Sequence, residues 1–189
     1  VVFSSDNGPV TSRWINWWEV NAYGSTGGFR GRKHFLYEGG IRVPTIIRYP
    51  GVIEPASVSA APAIGMDLFV TLATIGGGEV PDDRAIDGID LRPLWTNGLL
   101  PERSLFWALD AVSDLEFALR NGSWKLLLDR EQLPRELYNL AEDPLELFNL
   151  IDAESGRVEA LAREAAEFIT NIENDPLRPR QGAVSTYQE

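Results

Sequence analysis

The sequence has no cysteine, one histidine, and no run of about 18 consecutive apolar residues, the length that reads as a bilayer-spanning helix. Without cysteine there are no structural disulfides, which leaves the compartment open. One histidine, His34, cannot form an acid/base pair with another imidazole. Positive charge is also scarce: 17 Lys and Arg stand against 28 Asp and Glu, for a net charge of −11. The sequence pI of about 4.6 argues against a nucleic-acid partner, which needs a basic face. Neither nucleic acid nor a membrane span is expected.

What is present reads as a folded chain. Its 189 residues are 44% hydrophobic and 24% charged, the ordinary globular range. A piece this long can bury roughly 70% of its extended-chain surface.

Two stretches carry the chemistry. Val1-Val2-Phe3 is a β-branched and aromatic run of the kind that makes a buried strand, and it stops at Ser4-Ser5-Asp6-Asn7-Gly8-Pro9. Asp6 offers a carboxylate oxygen and Asn7 a neutral amide oxygen, which suits a hard cation such as Ca²⁺ or Mg²⁺. Gly8 lets the backbone turn so that both neighbours face one point. Taken alone, Asp-Asn-Gly is also a common turn sequence.

The second stretch runs from Gly31 to Gly51, GRKHFLYEGGIRVPTIIRYPG. Between Arg30 and Arg48 five basic residues meet one acid, a local charge of +4 in an acidic chain. Such an island suits a small anion held by point charge, with Lys33 the leading candidate, or else is a solvated loop. Glu38-Gly39-Gly40 reads as backbone support, with Glu38 able to pair with Arg42.

The pairing of F-S-S-D-N-G with G-R-K-H-F-L-Y-E-G-G-I-R-V-P and R-Y-P-G resembles the arylsulfatase-type sulfatases of the alkaline-phosphatase-like superfamily. The resemblance continues through Met66-Asp67-Leu68-Phe69, Asp82 to Leu94, and E-L-Y-N-L-A-E-D-P at Glu136 to Pro144. The Met66-to-Leu94 portion is most similar to the branch of arylsulfatase A and the galactosamine-6-sulfatases.

The resemblance implies that Asp6 and Asn7 are ligands of a divalent cation, usually calcium, and that Lys33 contacts the sulfate of a sulfate-ester substrate. His34 is a candidate pocket residue with no family role. The mechanism implied is attack of a formylglycine hydrate on sulfur, with the cation drawing charge from the sulfate and Lys33 neutralising one of its oxygens. The C/S-x-P-x-R motif that yields formylglycine is absent, as are the first metal-binding aspartates and a catalytic histidine and lysine. We therefore expect a C-terminal fragment, inactive alone, that depends on the missing N-terminal portion of the same protein. By resemblance the compartment is periplasmic, secreted or lysosome-like. A phosphate- or phosphonate-ester hydrolase of the same superfamily, or a non-catalytic folding or binding module, are the competing readings.

The fold class expected is α/β: the C-terminal portion of an alkaline-phosphatase-like α/β/α fold (residues 1–100), followed by a small antiparallel sheet packed on a helix (101–189). Trp14, Trp17 and Trp18 have helical spacing and are expected to pack on the domain, with a substrate-facing wall as the competing reading. Asp67 to Ile75 reads as a short packed helix stopped by Gly76-Gly77-Gly78. Asp82, Asp83, Asp87 and Asp90 do not match an EF-hand and read as turn and cap residues. Strands are expected at 104–109, 116–120, 124–128 and 136–139, with Asn121-Gly122-Ser123 as a hairpin turn. A helix over 154–174 should present Val158, Leu161, Ala162, Ala165, Phe168, Ile169 and Ile172 on one face and end at Asp175-Pro176. The tail from Leu177 reads as irregular.

Overall fold

The computed structural model describes residues 1–10, 24–96, 98–109 and 113–175. Trp14, Trp17, Trp18 and the tail from Leu177 lie outside these. The chain divides into two compact units, Val1–Leu105 and Phe106–Glu189.

In the first unit, the apolar runs at Val2 and Thr45 form a two-stranded ribbon. Strand β1 (Val2–Ser4) pairs antiparallel with β2 (Thr45–Ile47) in the register Val2↔Ile47, Phe3↔Ile46 and Ser4↔Thr45. One end is closed by the N-terminal ammonium, which donates to the Arg48 carbonyl, and by Arg48 N–H, which donates back to Val1. The expectation of a buried strand needs correction. All of β1 is exposed among the described residues, while Ile47 of β2 is half-buried. Between the strands lies a single helical turn, α1 (Glu38–Ile41).

Helix α2 (Asp67–Ile75) has the expected bounds, and it ends at Gly76 with Gly77 in the left-handed region, φ 72°. Its packing is not the expected one. Phe69, Leu72 and Ile75 are exposed, while Asp67 and Thr71 are buried. The reason lies in the backbone that crosses this side of the helix. Asp67 accepts hydrogen bonds from Ile64 N–H (2.8 Å) and Ile89 N–H (3.0 Å), and Thr71 Oγ1 accepts one from Leu91 N–H (2.9 Å). Arg103 closes on the same carboxylate as a fork, at 2.7 and 2.5 Å. Polar anchors, rather than apolar contact, thus hold α2 to the 88–91 segment. Gly88 is required there, since a Cβ would lie 2.2 Å from the Met66 carbonyl oxygen.

Burial alone would push the Asp67 carboxyl up, but the hydrogen bonds from Arg103, Ile64 and Ile89 and the charge of Arg103 outweigh it. The net result is a pKa below the ordinary 3.8. A carboxylate depressed in the folded state contributes stability that is complete above its unfolded pKa and is lost as pH falls through the folded one. Urea midpoints of wild type and Asp67→Asn should therefore differ most at neutral pH and converge in acid. A gap of constant size across that range would remove Asp67 as the source.

The acidic segment that follows behaves as turn and cap. Asp83 pairs with Arg84 (2.8 Å), and Asp90 caps Arg92 N–H at 3.0 Å, just before a 3₁₀ turn at Arg92–Thr96.

The second unit is built on a sheet of order β3-β4-β5-β6: β3 (Ser104–Ala108), β4 (Leu115–Asn121), β5 (Trp124–Asp129) and β6 (Pro134–Asn139). The β4–β5 and β5–β6 pairs are antiparallel. Asn121 pairs with Trp124 across the two-residue turn Gly122-Ser123, where Gly122 takes φ 57°. That turn needs a positive φ, which glycine adopts without strain.

Helix α3 (Ser155–Asn174) places Leu161, Ala165 and Ile169 inward, with the first two packing in one cluster with Leu119, Leu126, Leu128 and Leu137. Phe106 stacks on Phe117 and Phe168, and Arg157 lies over the Trp124 ring. Ile172, expected on the buried face, is exposed near the helix end. The other side of β5 is buried as well, beneath the loop that carries Glu146, and Lys125 ends there against Glu146, Nζ to Oε1 2.8 Å, both at 0% side-chain exposure. The loop carrying Glu146 is held by Asp143, whose carboxylate accepts from Leu147 and Phe148 N–H, and by Asn149, whose Oδ1 accepts from Leu137 and Ile151 N–H. No helix among the described residues is long and apolar enough to cross a membrane.

Candidate functional site

The turn after β1 is organised by its own side chains. Asp6 Oδ1 accepts from Asn7 N–H (3.0 Å), Ser5 Oγ donates to the Asn7 carbonyl (2.9 Å), and Asn7 Nδ2 donates to the Gly8 carbonyl (3.1 Å). The last bond turns the Asn7 amide oxygen away from Gly8. Asp6 is exposed and Asn7 half-buried.

This turn is locked to the second motif through the backbone. Gly8 N–H donates to the Gly40 carbonyl at 2.8 Å, Lys33 N–H to the Pro9 carbonyl at 3.0 Å, and Gly39 N–H to the Arg30 carbonyl at 2.7 Å. There is no room for side chains at this crossing. A Cβ on Gly8 would lie 1.9 Å from the Gly39 oxygen, and one on Gly40 would lie 2.0 Å from the Phe35 oxygen. The glycines of D-N-G and E-G-G are thus two halves of one contact, and through it Lys33 is bonded to the residue two places after Asn7.

Lys33 and His34 form the corner of a turn in which Phe35 N–H donates to the Arg32 carbonyl (3.0 Å). His34 takes φ 75°, the left-handed value that the third position of a type II turn requires. Both corner residues are partly buried.

Much of the surrounding positive charge is committed to the fold. Arg30 lies 3.9 Å over the Tyr37 ring, Arg32 donates to the Gly24 carbonyl, and Arg42 lies 4.6 Å over Phe29. Arg42 is also 3.7 Å from the buried Glu38, in the supporting role expected of that acid. Among the described residues, Lys33 makes no ion pair.

No group of three or more His, Cys, Asp or Glu among the described residues is placed to hold a metal ion. Asp6 and Asn7 are hard oxygen donors of the kind Ca²⁺ and Mg²⁺ take, but they are two where such ions take about six or more. They fit as part of a ligand set. Two buried charge pairs, Lys125–Glu146 and Asp67–Arg103, escaped the sequence reading. Neither pair lies at helical i,i+3 or i,i+4 spacing, so no local pattern reveals it.

Residues 27–174 match the family model described as N-sulphoglucosamine sulphohydrolase, C-terminal. The chain is 52% identical to rat (Rattus norvegicus) steryl-sulfatase over 71 residues, 38% of this chain and 12% of that protein. It is 30% identical to arylsulfatase A of Bos taurus over 197 residues, 92% of this chain and 36% of that protein. It therefore spans only about a third, or less, of the length of these relatives. Among solved structures it resembles BT4656, captured in complex with its substrate D-glucosamine-2-N,6-O-disulfate, with a TM-score of 0.63 and 28% identity over 75% of this chain and 31% of that one. The fold is that of the C-terminal part of a sulfatase, a mixed α/β unit followed by a small sheet with a helix on one face. A matched family model across most of the chain, together with two motifs joined at one glycine crossing, shows that this chain belongs to the sulfatase C-terminal family.

Proposed function

We propose that the chain supplies the C-terminal part of a sulfuric ester hydrolase, with Asp6, Asn7 and Lys33 on one side of its active site. The observation that carries this reading is the Gly8–Gly40 and Pro9–Lys33 crossing, which ties an acid–amide turn to a lysine whose ammonium makes no ion pair among the described residues. Asp6 and Asn7 would hold a divalent cation, calcium or magnesium, with ligands from elsewhere in the protein. When bound, that ion supplies a positive field for an oxyanion. Lys33 neutralises charge at a sulfate oxygen as it develops, from a backbone position fixed by its N–H bond to the Pro9 carbonyl. The remaining ligands and the formylglycine nucleophile belong to the N-terminal portion, so this chain alone is inactive. The compartment is periplasmic, secreted or lysosomal by the same reading.

The test uses the complete protein and its Asp6→Ala variant. Wild type should hydrolyse an aryl sulfate and leave the matching phosphate ester largely intact. Asp6→Ala should bind Ca²⁺ at least about tenfold more weakly by calorimetric titration, as expected on loss of a charged oxygen ligand. Preference for the phosphate ester, or unchanged Ca²⁺ affinity, overturns the corresponding assignment.

A further inference from the structure

His34 is the one corner residue of the site turn with no evident structural task. At φ 75° it occupies a conformation that glycine adopts freely and that costs other residues about 1 kcal/mol or more. A turn built only to present Lys33 would be more stable with glycine at this place. Nor is the imidazole used to offset the cost. Among the described residues it makes no hydrogen bond, ion pair or ring contact, although it is partly buried. The turn itself is fixed at its base by Lys33 N–H on the Pro9 carbonyl and across its ends by Phe35 N–H on the Arg32 carbonyl. A hydrogen-bonding ring is therefore held at strained backbone, next in sequence to the candidate sulfate-binding lysine, with nothing in the described fold to bond.

We propose that His34 is a specificity-determining residue that hydrogen-bonds a hydroxyl on the organic part of the substrate, beside the sulfate held by Lys33. The inference rests on the sulfatase reading above. Its ligand class is a polyhydroxylated, sugar-like sulfate ester, because an imidazole at this place adds a directional hydrogen-bonding group that a hydroxyl can answer. An aryl sulfate without hydroxyls offers it nothing to bond.

The variants His34→Gly and His34→Asn in the complete protein separate this role from a structural one. Glycine fits the backbone at φ 75° and removes the hydrogen-bonding group, while asparagine also tolerates that region and keeps a polar amide. His34→Gly should match or exceed the wild-type melting temperature. Its kcat/KM on a sulfated monosaccharide should fall about tenfold or more, mainly through KM, the size of a lost hydrogen bond to substrate. On a hydroxyl-free aryl sulfate the change should stay within about threefold, and His34→Asn should recover part of the loss on the sugar. Equal effects of His34→Gly on both substrates, or none on either, overturn the proposal. Lys33→Ala run in parallel separates the levels: if it alone impairs both substrates, only the His34 role fails, and if it too is silent, the site reading fails and takes the His34 role with it.

Discussion

Replacing Lys33 with alanine in the complete protein should lower kcat on a sulfate ester by about 100- to 1,000-fold, the range typical of removing one preorganised charge-stabilising donor. Thermal stability should hardly change. What Lys33 gives the fold is its backbone N–H, bonded to the Pro9 carbonyl, and alanine keeps that bond. The ammonium makes no ion pair among the described residues, so its removal orphans no buried charge there. The combination of a large kinetic loss with an unmoved melting temperature is diagnostic. Near-normal turnover would detach Lys33 from the chemistry, and a large drop in melting temperature would show that its side chain serves the fold.

The largest stability effect is expected at Lys125 in β5. Its ammonium lies 2.8 Å from Glu146, with both side chains fully buried. Lys125→Ala leaves the Glu146 carboxylate without its cation in the interior and should destabilise the protein by about 3–5 kcal/mol. Replacing both partners with apolar residues of similar size, Lys125→Met with Glu146→Leu, should recover most of that loss, since much of the cost belongs to the charge left behind. Denaturant unfolding of the single and double variants measures both. A single variant within about 1 kcal/mol of wild type, the size of a surface pair, would show that the pair is solvated. Glu146 sits at φ 58°, so its loop adopts a strained backbone to deliver the carboxylate.

Elements governed by local pattern could be read from the sequence. Helix α3 follows from apolar residues three and four apart and stops before Pro176, and the β4–β5 hairpin follows from Asn121-Gly122 between two strand-forming runs. The two glycine motifs were also legible as backbone geometry, because glycines beside polar side chains mark places where backbone passes close to backbone. That these glycines meet one another, Gly8 against Gly39 and Gly40, was not legible, since no local rule pairs residues so far apart. Pattern misled where tertiary polar contacts decide. The apolar residues of α2, Leu68, Phe69, Leu72, Ala73 and Ile75, suggest a packed helix, yet Asp67 and Thr71 take the inside because Ile89, Leu91 and Arg103 come to bond them. Val1 to Phe3 reads as core for a similar reason: hydrophobicity records what a strand can bury and is silent about what covers it.

The bond from Lys33 N–H to the Pro9 carbonyl also pinches off the stretch of chain between these two residues at its base. The entropy of closing such a stretch grows only with the logarithm of its length, by about 0.6 kcal/mol for each doubling. Added length between the two bonded residues therefore costs the cinched base little, provided that Phe29, Arg30 and Arg32 keep their contacts with Arg42, Gly39 and Gly24.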